Sequence, residues 1–269
     1  MRRRQFIGKS LAASMAFSPL AALAAESNSR HLVASPQDRA AYLAKMLDTL
    51  VTGFGPRFAG SADFDRSAEL IRQQLALAVP TTELDWFDLK GWRLLEEPIF
   101  YCAGRSLECY PAFGSQAPPE HGARGILVRQ AQGALAPFAI ANPDTRQVLV
   151  HVTISAYGRA VTGVVDPSEE LAHIPRVSVG KQDLAFLETA ADDNAVSRLH
   201  FKSEFADART CNIVGTLPGQ TDEEILVFAH ADTQYNTPGA NDNTASLIIV
   251  LMLAHAVSGT RPKRTMTFM

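Results

Sequence analysis

Cysteine is scarce and odd in number. Cys102, Cys109 and Cys211 are the only three, so the chain encodes no complete disulfide framework. No Cys-x-x-Cys occurs, which removes the common thiolate zinc sites. Cys102 and Cys109 suit a disulfide in an oxidising compartment, and all three equally suit small apolar positions. No Gly-x-Ser-x-Gly elbow occurs, so a serine hydrolase of that type has no support. No internal repeat or low-complexity tract is present. The longest N-terminal apolar run, Leu11 to Ala24, is shorter than the roughly 20 residues a membrane-spanning helix needs.

Basic charge is also in deficit. The chain holds 25 basic and 28 acidic residues, a net charge of −3. Met1–Ala25 reads as a targeting segment: Arg2, Arg3, Arg4 and Lys9 precede the apolar run, and Ala22-Leu-Ala24 fits a small-x-small cleavage site. The arginine pair before Phe6 resembles a twin-arginine export signal, which places the mature protein in the periplasm or outside the cell. Removing this segment takes the net charge to −7. No basic patch is left to bind nucleic acid.

What remains is rich in α/β signals. Ser35 caps an amphipathic helix, with Pro36 at its first position and Asp38 in its first turn. A second helix carries Phe64, Ala68, Ile71, Leu75 and Ala78 as its stripe. Between them runs the turn-rich Gly53–Ser61 loop. Thr81–Leu95 alternates and reads as strand near a sheet edge. From about Glu97 to Ala191 the texture changes to short apolar runs broken by Pro and Gly, among them Gly125–Val128, Val148–Val152 and Val161–Val165. That pattern indicates a small β-rich module. Val196–Ala206 and Cys211–Leu217 read as two further strands.

The chemistry concentrates in Glu224–Val257. An apolar strand runs into His230-Ala-Asp232. A loop with Pro238-Gly-Ala-Asn-Asp242-Asn243 follows, then an apolar helix from Thr244 to Val257. Asn243 or Thr244 suits the N-cap, and the all-round apolar surface predicts burial between layers. Open α/β sheets place their sites beyond the carboxyl ends of the strands. There, His230 and Asp242 suit a zinc ion, and Asp232 is placed to orient the imidazole. On spacing alone, polar strand-end residues with no ligand role are an equal reading.

These stretches resemble the co-catalytic zinc metallopeptidases of the aminopeptidase and glutamate-carboxypeptidase type. The resemblance rests on His-Ala-Asp, on Pro-Gly-Ala-Asn-Asp-Asn, on Asn212–Gly219 and on the opening Gly55-Pro-Arg57-x-x-Gly60-Ser61. Ala245-Ser246 stands where that family has Ser-Gly. The resemblance implies two zinc ions in a complete member, His230 on one, Asp242 bridging both, and Asp232 as the catalytic-site partner of His230. It implies a peptide substrate hydrolysed near a terminus. The implied fold is a mixed sheet flanked by helices. Residues 26–96 and 192–269 form the split peptidase part, and 97–191 form an insertion similar to a protease-associated domain. The family's next motif, a Glu-Glu pair after the following strand, has no counterpart beyond Thr265–Met269. Glu96-Glu97, Glu169-Glu170 and Glu223-Glu224 all precede His230 and read as solvated turns or faces. The expectation is a C-terminally truncated, inactive form. A glutaminyl cyclase-like zinc enzyme and a non-catalytic binding protein on the same scaffold are the alternatives.

Overall fold

The computed structural model describes residues 29–165 and 172–269. The targeting segment and Glu169-Glu170 lie outside these described residues. A 3-10 turn, Ser29–Val33, leads into α1 (Pro36–Leu47), a π-helical turn (Asp48–Phe54) and α2 (Ala62–Ala76). Then come β1 (Thr81–Cys102), β2 (Arg105–Leu107), β3 (Cys109–Pro111), β4 (Ala123–Arg129), β5 (Phe138–Ala141), β6 (Val148–Ile154) and β7 (Arg176–Val179). The remainder is α3 (Leu184–Asp192), β8 (Val196–Leu217), β9 (Thr221–Val227), α4 (Ala245–Val257) and β10 (Arg264–Phe268). The fold is α/β, with one mixed sheet flanked by helices. β9 and β10 are parallel, as are β6 and β7, and the other pairs are antiparallel.

Two strands of 22 residues each carry this architecture. β1 and β8 pair antiparallel from Thr81↔Thr216 to Cys102↔Ser197. The break expected after Leu95 is absent, because β1 runs on through Glu96, Glu97 and Pro98. The register shifts between Glu96 and Ile99, which lets Pro98 sit where no amide donor is needed. Nor are there two strands between Val196 and Leu217. The polar stretch expected to separate them is held in the ladder by cross-strand partners: Lys90 pairs with Asp207, Arg93 with Glu204, and Arg209 lies 4.3 Å from the Trp86 ring centroid. Val161–Val165 is not a strand. It makes a single bridge, Val164 to Phe113.

Separate hydrophobic cores form at the two ends of this ribbon. The first joins α1, α2 and α4 to Cys211, Ile213 and Leu217 of β8 and Phe268 of β10. The second joins Phe100 and Cys102 of β1 to β4–β7, α3, and Leu199 and Phe201 of β8. All three cysteines are free and buried. Burial pushes the Cys109 thiol up to about 12 and Cys211 to about 11. α1 begins as its sequence demands. Ser35 Oγ accepts from the Asp38 amide at 3.1 Å, and Asp38 accepts the Ser35 amide at 3.0 Å.

α4 departs from expectation in two ways. Leu247, Ile248, Leu251 and Ala254 pack into the first core, but Ile249 is 57% and Leu253 44% exposed. The helix therefore has one covered face and one open one. Ala240–Val257 is long and apolar enough to cross a membrane by length and composition alone, and its covered face is core packing. His255 also differs. It lies in the last turn of α4, where a cation would be favoured, yet it is fully buried. Its ring bonds Ser29 Oγ at 2.7 Å and Tyr42 Oη at 3.1 Å. Burial holds it neutral, with its pKa near 4.

That burial fixes a pH dependence. The folded pKa lies below the ordinary 6.5, so the contribution is complete above about pH 6.5 and is lost as pH falls toward 4. The loss amounts to about 3 kcal/mol. Denaturant titrations between pH 7 and 4 should show this slope, and His255→Gln should flatten it. Separately, Ile249→Lys with Leu253→Lys should raise solubility while shifting stability by no more than about 0.5 kcal/mol, the usual range for exposed positions.

Candidate metal centre

β9 is an edge strand whose apolar Ile225 and Leu226 are partly exposed. Its acidic start is engaged: Glu223 pairs with Arg264 and Glu224 accepts from Thr267. The ladder continues past Val227, since Met269 donates to Val227 O and Ala229 donates to Met269 O, both at 3.0 Å. His230 follows at the carboxyl end. The loop after it reverses at Gly239, whose φ is 58°. A Cβ there would lie 2.4 Å from Asp242 O and 2.5 Å from Thr233 Cγ2. Only glycine fits this turn. The reversal returns Asp242 to His230. The Asp242–Asn243 peptide bond is cis.

The three predicted site residues meet. His230 Nδ1 lies 3.1 Å from Asp232 O and 3.2 Å from Asp232 Oδ1. A carbonyl oxygen only accepts, so Nδ1 carries a proton. Nε2 lies 3.0 Å from Asp242 Oδ1. In a neutral imidazole this puts a lone pair against a carboxylate, an arrangement that demands a cation between them or a second ring proton. Two donors of one tetrahedral zinc stand roughly 3.3 Å apart, given bond lengths of about 2.0 Å. The donor set and its spacing therefore fit such an ion. Asp232 is engaged at the far ring nitrogen, where it orients the ring. No group of three or more His, Cys, Asp or Glu side chains arranged to hold a metal occurs among the described residues.

The loop is held by Arg57, which is completely buried. Its guanidinium donates to Leu50 O at 2.6 Å, Gly55 O at 3.1 Å, Thr244 Oγ1 at 2.6 Å, and Ala231 O and Pro238 O at 3.4 Å each. Its backbone exchanges bonds with Thr233: the Arg57 amide donates to Thr233 Oγ1 at 2.7 Å, and the Thr233 amide to Arg57 O at 3.0 Å. Burial lowers its pKa and the Asp232 carboxylate opposes that shift. Thr244 makes no cap bond with its side chain, because its hydroxyl serves Arg57. Thr244, one of the two expected positions, is nonetheless the N-cap of α4, and the Ala240–Thr244 turn leading to it leaves helical geometry at Asp242 and Asn243. Beside His230 lies a mostly apolar cavity of about 470 Å³, bounded by α2, β8, Phe228 and α4.

The other candidates lie in other settings. Glu96 pairs with Lys202 and with His200, which is half-buried. His151 is buried in β6, and burial beside Arg176 lowers its pKa. Sequence reasoning placed Arg57 in a structural loop without its partners and gave Thr233 and Tyr235 no role. Their signals are bonds to main-chain groups, which no residue letter records.

Residues 212–269 match the family model of Peptidase family M28. No curated protein sequence matches the chain. Among solved structures, it is similar to BSAP, a zinc aminopeptidase from Bacillus subtilis, at 21% identity and TM-score 0.66, over 85% of this chain and 60% of that one. It is similar to an aminopeptidase from Aneurinibacillus sp. strain AM-1 at 17% identity and TM-score 0.58, over 85% and 61%. The Peptidase M28 precursor from Shewanella amazonensis SB2B gives 16% identity and TM-score 0.67, over 91% and 67%. These likenesses are of fold, and the chain spans about three fifths of the length of the first two.

Arg57→Lys and Arg57→Met should both destabilise the chain by about 2–4 kcal/mol, since an ammonium cannot reach five acceptors and a thioether leaves them bare. Chemical denaturation checks this. Lysine restoring full stability would show that the charge alone matters.

Proposed function

We propose that this chain is a co-catalytic zinc metallopeptidase, as the Peptidase family M28 match over residues 212–269 supports, and that it holds part of the metal site of an exopeptidase of the aminopeptidase type. The observation that carries the reading is the His230 ring, bonded at Nδ1 to Asp232 and presenting Nε2 to Asp242 at 3.0 Å. His230 and Asp242 would hold zinc, and the reading extends to two ions bridged by Asp242. When bound, zinc supplies a Lewis acid and an activated water for amide hydrolysis. Asp232 keeps the Nδ1 proton in place, so Nε2 stays available as a donor. Arg57 fixes the loop that carries Asp232 and Asp242. Hydrolysis also needs a general base within reach of the attacking water, and no third carboxylate joins His230 and Asp242 among the described residues.

The substrate class in this reading is a peptide cleaved near a terminus. Export by a twin-arginine route to the periplasm or beyond belongs to the same proposal. So does the division into residues 26–96 with 192–269 and an inserted 97–191; two separate cores support two units, with Leu199 and Phe201 of β8 packing into the core of the inserted one.

Two outcomes are expected of the 269-residue chain. Zinc should bind weakly, and either His230→Ala or Asp242→Asn should abolish that binding in a chelator-competition titration. Chromogenic aminoacyl substrates with added zinc should give no turnover, because loss of a general base alone costs ~10²–10⁴-fold. Zinc-dependent, chelator-sensitive turnover would show that the base lies elsewhere in this chain. Unchanged zinc affinity in both variants would remove the site.

A further inference from the structure

His230 and Asp242 stand twelve positions apart. The chain between them has no regular structure before the turn at Ala240. What holds its shape comes from outside it. Arg57 fixes the backbone at Ala231 and Pro238 and the side chain of Thr233. Between these anchors stands Tyr235, whose hydroxyl donates to Pro111 O at 2.6 Å. Pro111 ends β3, and the adjoining Cys109 belongs to the second core.

The Tyr235 ring is enclosed on the same side. Its centroid lies 5.3 Å from Trp92, 6.3 Å from Tyr110 and 6.4 Å from Phe58. Phe113 completes the cluster, 5.9 Å from Trp92 and 4.9 Å from Phe58. Offset and edge-on aromatic contacts of this kind are directional as well as apolar. The side receiving Tyr235 is itself fixed. Thr162 Oγ1 donates to the same Pro111 carbonyl at 2.7 Å, and Trp92 Nε1 donates to Ser115 O at 2.9 Å. A rigid acceptor on the β-rich unit thus grips the middle of the loop that joins the two zinc donors.

We propose that Tyr235 is a positioning residue through which the β-rich unit sets the separation of His230 and Asp242. The unit is then a strut of the metal site, and displacing it opens the loop. This rests on the reading of His230 and Asp242 as zinc donors. The hydroxyl is the specific element: without it the ring still fills its place, but the loop loses its fixed distance from β3.

The test uses the full chain as wild type, Tyr235→Phe and Thr153→Val. The valine variant removes a bond inside the β-rich unit, Thr153 Oγ1 to Val177 O at 3.1 Å, without touching the loop. Three quantities are measured: zinc affinity by chelator competition, tryptophan emission as a monitor of Trp92, and the ¹⁵N-resolved signals of the His230 ring in metal-free protein. Tyr235→Phe should lower zinc affinity about tenfold, the lower end of what removing support from a metal ligand costs. It should also shift the His230 ring signals and the Trp92 emission, while Thr153→Val leaves affinity and ring signals unchanged. Unaltered ring signals in Tyr235→Phe would overturn the proposal. So would an equal loss in Thr153→Val, which would mark a general loosening of the β-rich unit. If the wild type binds no zinc, the zinc reading falls, and the metal-free ring signals still decide whether Tyr235 positions His230.

Discussion

Pairing between β1 and β8 is the constraint on which everything else depends. β8 gives Cys211, Ile213 and Leu217 to the first core, with Leu84 and Trp86 of β1 packed against it, and Leu199 and Phe201, with Phe100 of β1, to the second. Neither core closes without the ribbon, because the helices and short strands around it have no other shared surface of comparable length. The ribbon also brings Trp92 beside Phe113 and Tyr235, so the same pairing that divides the molecule aligns the two units at the candidate metal centre.

Around that centre the molecule handles buried polarity in two opposite ways. Arg57 keeps a donor fork in a fully buried place and satisfies it with four main-chain carbonyls and one hydroxyl. A buried charge is tolerable on those terms, because each guanidinium nitrogen finds at least one acceptor. His255, at the far end of α4, is bonded to Ser29 and Tyr42 and held without charge by burial. One buried group binds the site loop to the first core, and the other binds the start of the described chain to the last turn of α4.

Much of this was legible because the signals are local. His230, Asp232 and Asp242 stand out by residue type at the end of an apolar strand, and glycine before Asp242 marks the reversal that unites them. The capping box of α1 is written in four consecutive letters. What escaped depends on partners far away in the chain. Arg57 and Tyr235 act on carbonyl oxygens, and every residue has one, so no pattern singles out Ala231, Pro238 or Pro111. The continuity of β8 through Asp207 and Arg209 relies on Lys90 and Trp86 across the ribbon. The burial of α4 was overstated because an apolar composition reports what a helix can bury, whereas coverage depends on which neighbours reach it. Val161–Val165 has strand composition but finds only one bridging partner.

The register of the ribbon has a consequence for how the chain comes together. Cys102 and Ser197 are direct partners, so the whole β-rich unit leaves and re-enters at adjacent points. Closing a loop costs entropy that grows only slowly with its length, and the cost falls when the enclosed segment is already compact. A β-rich unit that collapses together with the near end of the ribbon, Phe100 and Cys102 with Leu199 and Phe201, holds these two ends side by side. The long ladder then zips outward one pair at a time, from Cys102 and Ser197 toward Thr81 and Thr216, each step adding a contact for little further loss of freedom. Assembly in the reverse direction would have to begin with the most distant ends of the ribbon, where closure is slowest. The last residues to be drawn in on the favoured route are those that complete the first core.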